Sequence, residues 1–227
     1  MPRILVLRHH LEDHPGLVGE AFEARGFSLD VFLMDEQSLT PSLDGYDVLL
    51  ILGSKSAVYD PQVEAAWFGR ELELIGEATE RDLPIFGICF GAQALCVFHG
   101  GDVTASNDPE IGWFEVTARN KSSIVSGPWF EYHFDRCSLP PHATLLAESP
   151  RAIQAFAIGR HVGVQFHPEV DDEQLRDWLE TTSDEARSFG IDVDELLEVT
   201  RLETPAARQR AAQLVDVFLA FVNGEDC

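Results

Sequence analysis

Lysine is almost missing from this chain: Lys55 and Lys121 are the only two among 227 residues. Positive charge as a whole is scarce, with 16 Lys and Arg against 39 Asp and Glu and a formal net charge of −23. Such a field repels phosphate backbones and anionic headgroups, which argues against nucleic acid or a membrane as a primary partner. Cysteine is sparse too. Cys89, Cys96, Cys137 and Cys227 form no dense disulfide framework, and Cys89 and Cys96 lack the CxxC spacing of metal ligands. No apolar run approaches membrane-span length, and the short one before His9 and His10 falls below a signal-peptide core. Together these absences predict a cytoplasmic protein with free thiols. His9, His10 and His14 have no acidic cluster at ligand spacing, so they are expected as exposed loop residues, and no metal or cofactor is expected.

What is present is an α/β pattern in a soluble composition, 45% hydrophobic and 24% charged. Apolar runs at Ile4–Leu7, Ser28–Leu33, Val48–Leu52 and Pro84–Ile88 alternate with helical spacing at Leu17–Arg25, Gln62–Glu80 and Gly91–Phe98. Continuous apolar strands separated by helices predict a mostly parallel central sheet covered by helices on both faces. From Gly112 to Phe166 the pattern changes to short β-like pieces, Trp113–Thr117, Ile153–Ala157 and His161–Phe166, divided by Gly127-Pro128 and Pro140-Pro141. They read as an antiparallel extension of the same domain, residues 1–170. Residues 171–227 read as an acidic helical C-terminal segment packed on it. Its stretch 171–203 holds twelve acids and three arginines, the composition of a solvated helical face. A last helix is predicted to open with Thr204 as N-cap and Pro205 in the first turn, its stripe of Ala207, Ala211, Leu214 and Phe218 facing the core.

Two short motifs carry chemistry. Gly87-Ile88-Cys89-Phe90-Gly91-Ala92-Gln93 follows a strand run and precedes a helix. Small residues flanking the cysteine permit the strained turn that exposes a nucleophile, and the following helix favours thiolate through its unpaired N–H groups and dipole. Cys96, one helical stretch on, reads as core. Later, Gln165-Phe166-His167-Pro168-Glu169 supplies a base and an acid. In an extended segment, positions two apart project to one side, so the Glu169 carboxylate is expected to reach the His167 imidazole. Cys89, His167 and Glu169 thus form a candidate nucleophile, base and orienting acid. The Phe90 N–H is the first expected oxyanion donor, and the Ser54 or Gly53 N–H after the third strand the second. Gly53-Ser54-Lys55-Ser56 has the look of a phosphate loop, but the glycine such a loop needs five positions upstream is Val48.

The two motifs together strongly resemble the class I glutamine amidotransferases, nearest to the glutaminase part of GMP synthetase, over about residues 3 to 170. The resemblance implies a flavodoxin-like fold and a Cys89–His167–Glu169 triad. It places Gly53 and Ser54 in the oxyanion loop and Gln93 at the amino-acid end of substrate glutamine. It also implies cleavage of the glutamine side-chain amide through a thioester, giving glutamate and ammonia for a separate synthetase partner. Tyr132-His133-Phe134-Asp135 resembles the family's His-Gly-Asp element, which puts His133 and Phe134 near the substrate's α-groups, with Phe134 replacing glycine. Ser54 and Lys55 stand where the family has glycine and proline. The peptide after Gly53 is therefore expected to turn its N–H away until a partner docks. A γ-glutamyl hydrolase or amidase of the same fold is the alternative, and the third reading is a catalytically silent regulatory subunit.

Overall fold

The computed structural model describes residues 1–35, 39–119, 124 and 126–224; Lys121 and Cys227 lie outside them. Its sheet has nine strands in the order β2-β1-β3-β4-β9-β8-β7-β5-β6. The parallel half comprises β1 (Arg3–Arg8), β2 (Ser28–Leu33), β3 (Val48–Ile51), β4 (Ile85–Ile88) and β9 (His161–Val164). Strands β3, β4 and β9 are buried at every position, as expected where both faces are covered. On one face α1 (Gly16–Glu23) and α6 (Val193–Val222) pack Phe22 and Phe218 against Ile4, Val6, Leu50 and Phe86. On the other, α3 (Gly69–Glu80) and α4 (Phe90–Phe98) pack Leu74, Ile75 and Leu95 against Leu5, Leu7, Leu49 and Ile51. The short α2 (Pro61–Val63) runs through a π-helical segment (Glu64–Phe68) into α3. No described helix is long and apolar enough to cross a membrane.

The antiparallel half is larger than its sequence pattern implies. Strand β5 runs Val103–Ala118 and pairs along β6 (Gly127–Cys137), with β7 (Thr144–Glu148) and β8 (Ile153–Ile158) completing the half. Gly127-Pro128, expected as a divider, opens β6 and pairs with Val116 and Glu115. Pro128 lies near the start of β6, the outermost strand of its sheet, a position where proline is tolerated. The strand expected to reach Phe166 ends at Val164.

The last helix also differs from expectation. Rather than starting at Thr204, α6 starts after Asp192, whose side chain caps the Asp194 and Glu195 amides, and passes through Pro205. An interior proline costs a helix about 3 kcal/mol. Offsetting this, Val193 and Leu196 are buried beside Ile111 and Phe130, and buried Thr200 accepts a 2.9 Å bond from Trp113 Nε1. The Thr204 hydroxyl donates to the Thr200 carbonyl at 2.9 Å instead of capping anything. Between β9 and α6 lies α5 (Asp172–Ser188), capped by Asp171, with its inner face of Leu175, Trp178 and Leu179 buried. The acidic stretch is solvated on its outer side only.

Candidate active site

Cys89 sits at the turn from β4 into α4 with φ 48° and ψ −100°, a backbone conformation that residues other than glycine rarely adopt. Such strain costs on the order of 1–3 kcal/mol and persists only where the surroundings enforce it. Here the flanking glycines do so. A Cβ on Gly87 would lie 2.6 Å from the Gly91 backbone, and one on Gly91 would strike the Ile51 carbonyl. The Cys89 amide is fixed by a 2.8 Å bond to the Val164 carbonyl of β9. Cys89 is 5% exposed, and its thiol accepts a 3.5 Å contact from Gln165 Nε2.

The imidazole of His167 and the carboxylate of Glu169 meet at 2.7 Å through Nδ1 and Oε1, both side chains buried. The segment is not extended: His167-Pro168-Glu169-Val170 forms a turn with proline at its second position, a place that suits its fixed φ. His167 N donates to the Phe130 carbonyl at 2.7 Å, and the Glu169 carbonyl accepts from Leu17 N at 2.9 Å, so both ends are tied down. Burial pulls the His167 pKa down, but Glu169 and neighbouring Cys89 outweigh it and leave it well above the ordinary value. Among the described residues His167 Nε2 has no hydrogen-bond partner, so it is available to the thiol and to a substrate.

Around these groups opens a cleft of about 620 Å³. Gly53, Ser54, Cys89, Gln93, His133, Phe134 and His167 all line it, so the expected residues converge. Phe90 is not among the lining residues, its ring being buried under the elbow. As the first residue of α4 its N–H has no helical acceptor. Gln93 Nε2 reaches Gln165 Oε1 at 3.3 Å in the cleft wall. His133 is doubly engaged: Nδ1 donates to the Asp135 carbonyl at 2.9 Å, and Nε2 lies 3.1 and 3.3 Å from Glu110 and Glu131. Burial lowers its pKa, but the two carboxylates push it up to about 10, making it a buried imidazolium. Phe134 packs its ring 5.2 Å from Phe189, which follows α5. Among the described residues no group of three or more His, Cys, Asp or Glu is arranged to hold a metal ion.

Two parts of the site escaped the sequence reading. Trp178 of α5 meets the His167 ring edge-on at 5.0 Å and donates to Asp13 at 3.2 Å, and Thr181, Thr182 and Glu185 of that helix line the cleft. Helical spacing of Leu175, Trp178 and Leu179 within the acidic stretch was the available signal. Lys55 ties the loop after β3 to this helix through a 2.7 Å bond to Thr181 and to the segment between β1 and α1 through a 2.7 Å bond to Glu12. The second is His9. Expected as exposed, it is 6% exposed and lies between Glu71 and Gly53. His10 is half-buried and His14 exposed.

A buried thiol at a strained strand–helix elbow, beside a carboxylate-bound imidazole, is equipped for nucleophilic acyl transfer. Residues 17–181 match the family model described as glutamine amidotransferase class-I, and the chain belongs to that family. A GMP synthase [glutamine-hydrolyzing] from Bordetella avium is 29% identical over 179 residues, 70% of this chain and 29% of that protein. One from Escherichia coli O127:H6 is 34% identical over 108 residues, 40% of this chain and 21% of its own length. The chain thus spans under a third of these relatives. A glutamine amidotransferase from Thermotoga maritima superposes with a TM-score of 0.85 at 27% identity, covering 97% of this chain and 98% of that one. A putative GMP synthase subunit from Thermoplasma acidophilum shares the fold, with TM-score 0.64, 22% identity, and coverage of 84% and 98%.

Proposed function

We propose that this chain hydrolyses the side-chain amide of glutamine through a Cys89 thioester and passes the ammonia to a separate synthetase. The observation that carries this is the elbow thiol of Cys89 lying beside an imidazole whose Nδ1 is held by Glu169. His167 takes the thiol proton, and the thiolate attacks the amide carbon. The developing oxyanion is assigned to the start of α4, with the Phe90 and Ser54 N–H groups as its donors. His167 then protonates the departing ammonia and activates the water that cleaves the thioester, releasing glutamate. Glu169 holds the imidazole tautomer and stabilises the imidazolium. Gln93, His133 and Phe134 form the wall against which the amino-acid end of the substrate rests. Residues 171–227 act as an extension of the 1–170 domain that closes the cleft with Trp178. The likeness to a putative GMP synthase subunit supports the separate-partner arrangement. The test is glutamate release from glutamine by the purified chain; no release by the wild-type protein, alone or with a synthetase, refutes the reading.

A γ-glutamyl hydrolase or amidase is the second reading, favoured by one observation. The cleft of about 620 Å³ falls in the range of sites for drug-sized ligands, about 300–1,000 Å³, and Phe134 adds an aromatic wall. A strong preference for a bulkier γ-glutamyl amide over glutamine would select it.

A further inference from the structure

The loop that carries the second oxyanion donor is gripped from behind. His9 follows β1, which lies beside β3 on the side away from β4 and β9. Its Nδ1 donates to the Gly53 carbonyl at 2.7 Å, and its Nε2 meets Glu71 Oε2 of α3 at 2.8 Å. Both side chains are fully buried. The rings of Trp67 and Phe90 pack on the imidazole at 4.6 and 5.0 Å.

We propose that the His9–Glu71 pair is a positioning device that holds the Gly53–Ser54 peptide with its carbonyl turned to His9 and its N–H turned to the nucleophile. In a trans peptide, C=O and N–H point in opposite directions. His9 does not line the cleft, whereas Gly53, Ser54 and Cys89 do. A carbonyl directed out of the cleft therefore directs the Ser54 N–H into it. Among the described residues neither the Ser54 N–H nor the Phe90 N–H donates to a protein acceptor, the condition of an oxyanion hole awaiting its anion. The expectation that Ser54 turns its N–H away is thereby reversed, because its premise, a missing glycine and proline, overlooked the Gly53 carbonyl's partner, His9, just after β1. Burial lowers the His9 pKa, but Glu71 raises it past its ordinary value, with Asp13 adding to the rise. Burial lowers the pKa of neighbouring His10, and His9 in turn lowers it. With a carbonyl on one side and a carboxylate on the other, both ring nitrogens of His9 face acceptors.

This inference rests on the glutaminase reading, and the experiment separates their failures. His9→Phe with Glu71→Leu keeps the ring packing, removes the donor and strands no buried charge. Losing one oxyanion donor costs about 10²–10³ in kcat, so a fall of that size is expected with KM for glutamine changed less than about threefold. Alkylation of Cys89 by iodoacetamide develops no oxyanion, so its rate should be kept. His9→Asn with Glu71→Leu restores a donor near the Nδ1 position and should recover kcat to within about tenfold of wild type. Glu71→Gln keeps a partner for Nε2 and the Nδ1–H tautomer, and should lose less than about tenfold. Near-wild-type kcat in the double phenylalanine–leucine variant overturns the clamp, as does a parallel loss of alkylation, which would mark a collapsed site. Should that variant not fold, a hundredfold loss in Glu71→Gln overturns it equally. An inactive wild type, by contrast, sinks the glutaminase reading and this role with it.

Discussion

Gly53 and His167 leave no room between them: a Cβ on Gly53 would lie 2.9 Å from Cε1 of the imidazole and 3.7 Å from Cβ of Cys89. The loop after β3 and the His167 ring after β9 therefore set each other's position. Gly53→Ala should push the imidazole off the thiol. Misplacing a reacting group by about 1 Å costs roughly 10²-fold, and a kcat loss of that order is expected with an unchanged unfolding midpoint. Wild-type turnover in the alanine variant would mean that the contact does not position the base.

Cys89→Ala should abolish glutamate release and leave the fold intact. A glutamine-like diazo ketone should label Cys89 and spare Cys96, whose Sγ lies 3.2 Å from the Ser138 carbonyl in the core, and Cys137. Mass spectrometry decides between them, and modification at Cys96 or Cys137 in place of Cys89 removes the nucleophile assignment.

In the proposed reaction Glu169 orients His167 and does not itself react. Glu169→Ala is expected to retain about 10–100 times more kcat than His167→Ala, because losing the orienting acid of a triad leaves residual catalysis. Equal, near-complete losses in steady-state assays would give the carboxylate a more direct part.

The His133 cluster predicts a pH dependence of stability. Its folded pKa, about 10, stands above the ordinary 6.5. The contribution is therefore complete below about pH 6.5 and is lost as pH rises toward 10. Glu131, pushed up to about 7 by burial against the pull of His133, resists ionisation in the fold and adds to the loss toward neutrality. Thermal unfolding should show the gap between wild type and His133→Gln widest near pH 6 and narrowing toward about pH 10. A gap independent of pH would mean that His133 is not charged in the folded chain.

The parallel half of the sheet and the Cys89–His167–Glu169 constellation were legible because each rests on a local signal: a fully apolar strand, a glycine-flanked cysteine, a proline-locked pair. What was not legible depended on partners distant in sequence. The polar residues 106–109 of β5 form an irregularity in the ladder, with Val103–Ala105 paired to β6 before it and Glu110 onward after it, and Pro128 sits on a strand at the sheet's edge. Pro205 reads as a helix start until the packing of Val193, Leu196 and Thr200 is known. His9 looked like a loop histidine since nothing nearby in sequence announces Glu71 on α3. Trp178 was hidden in a segment whose charge masked its apolar face.

Strand β9 comes late in the chain yet lies in the middle of the sheet, between β4 and β8, and its Val164 carbonyl holds the Cys89 amide. A growing chain has made Cys89 long before it has made His167, and β4 keeps an open edge until β9 arrives. Pairings between distant segments form slowly because loop closure must come first. Recovery of activity after dilution from denaturant should therefore trail recovery of helical signal. The chain's chemistry is withheld from its own unfinished forms, and an enzyme assay reads the closing of the sheet.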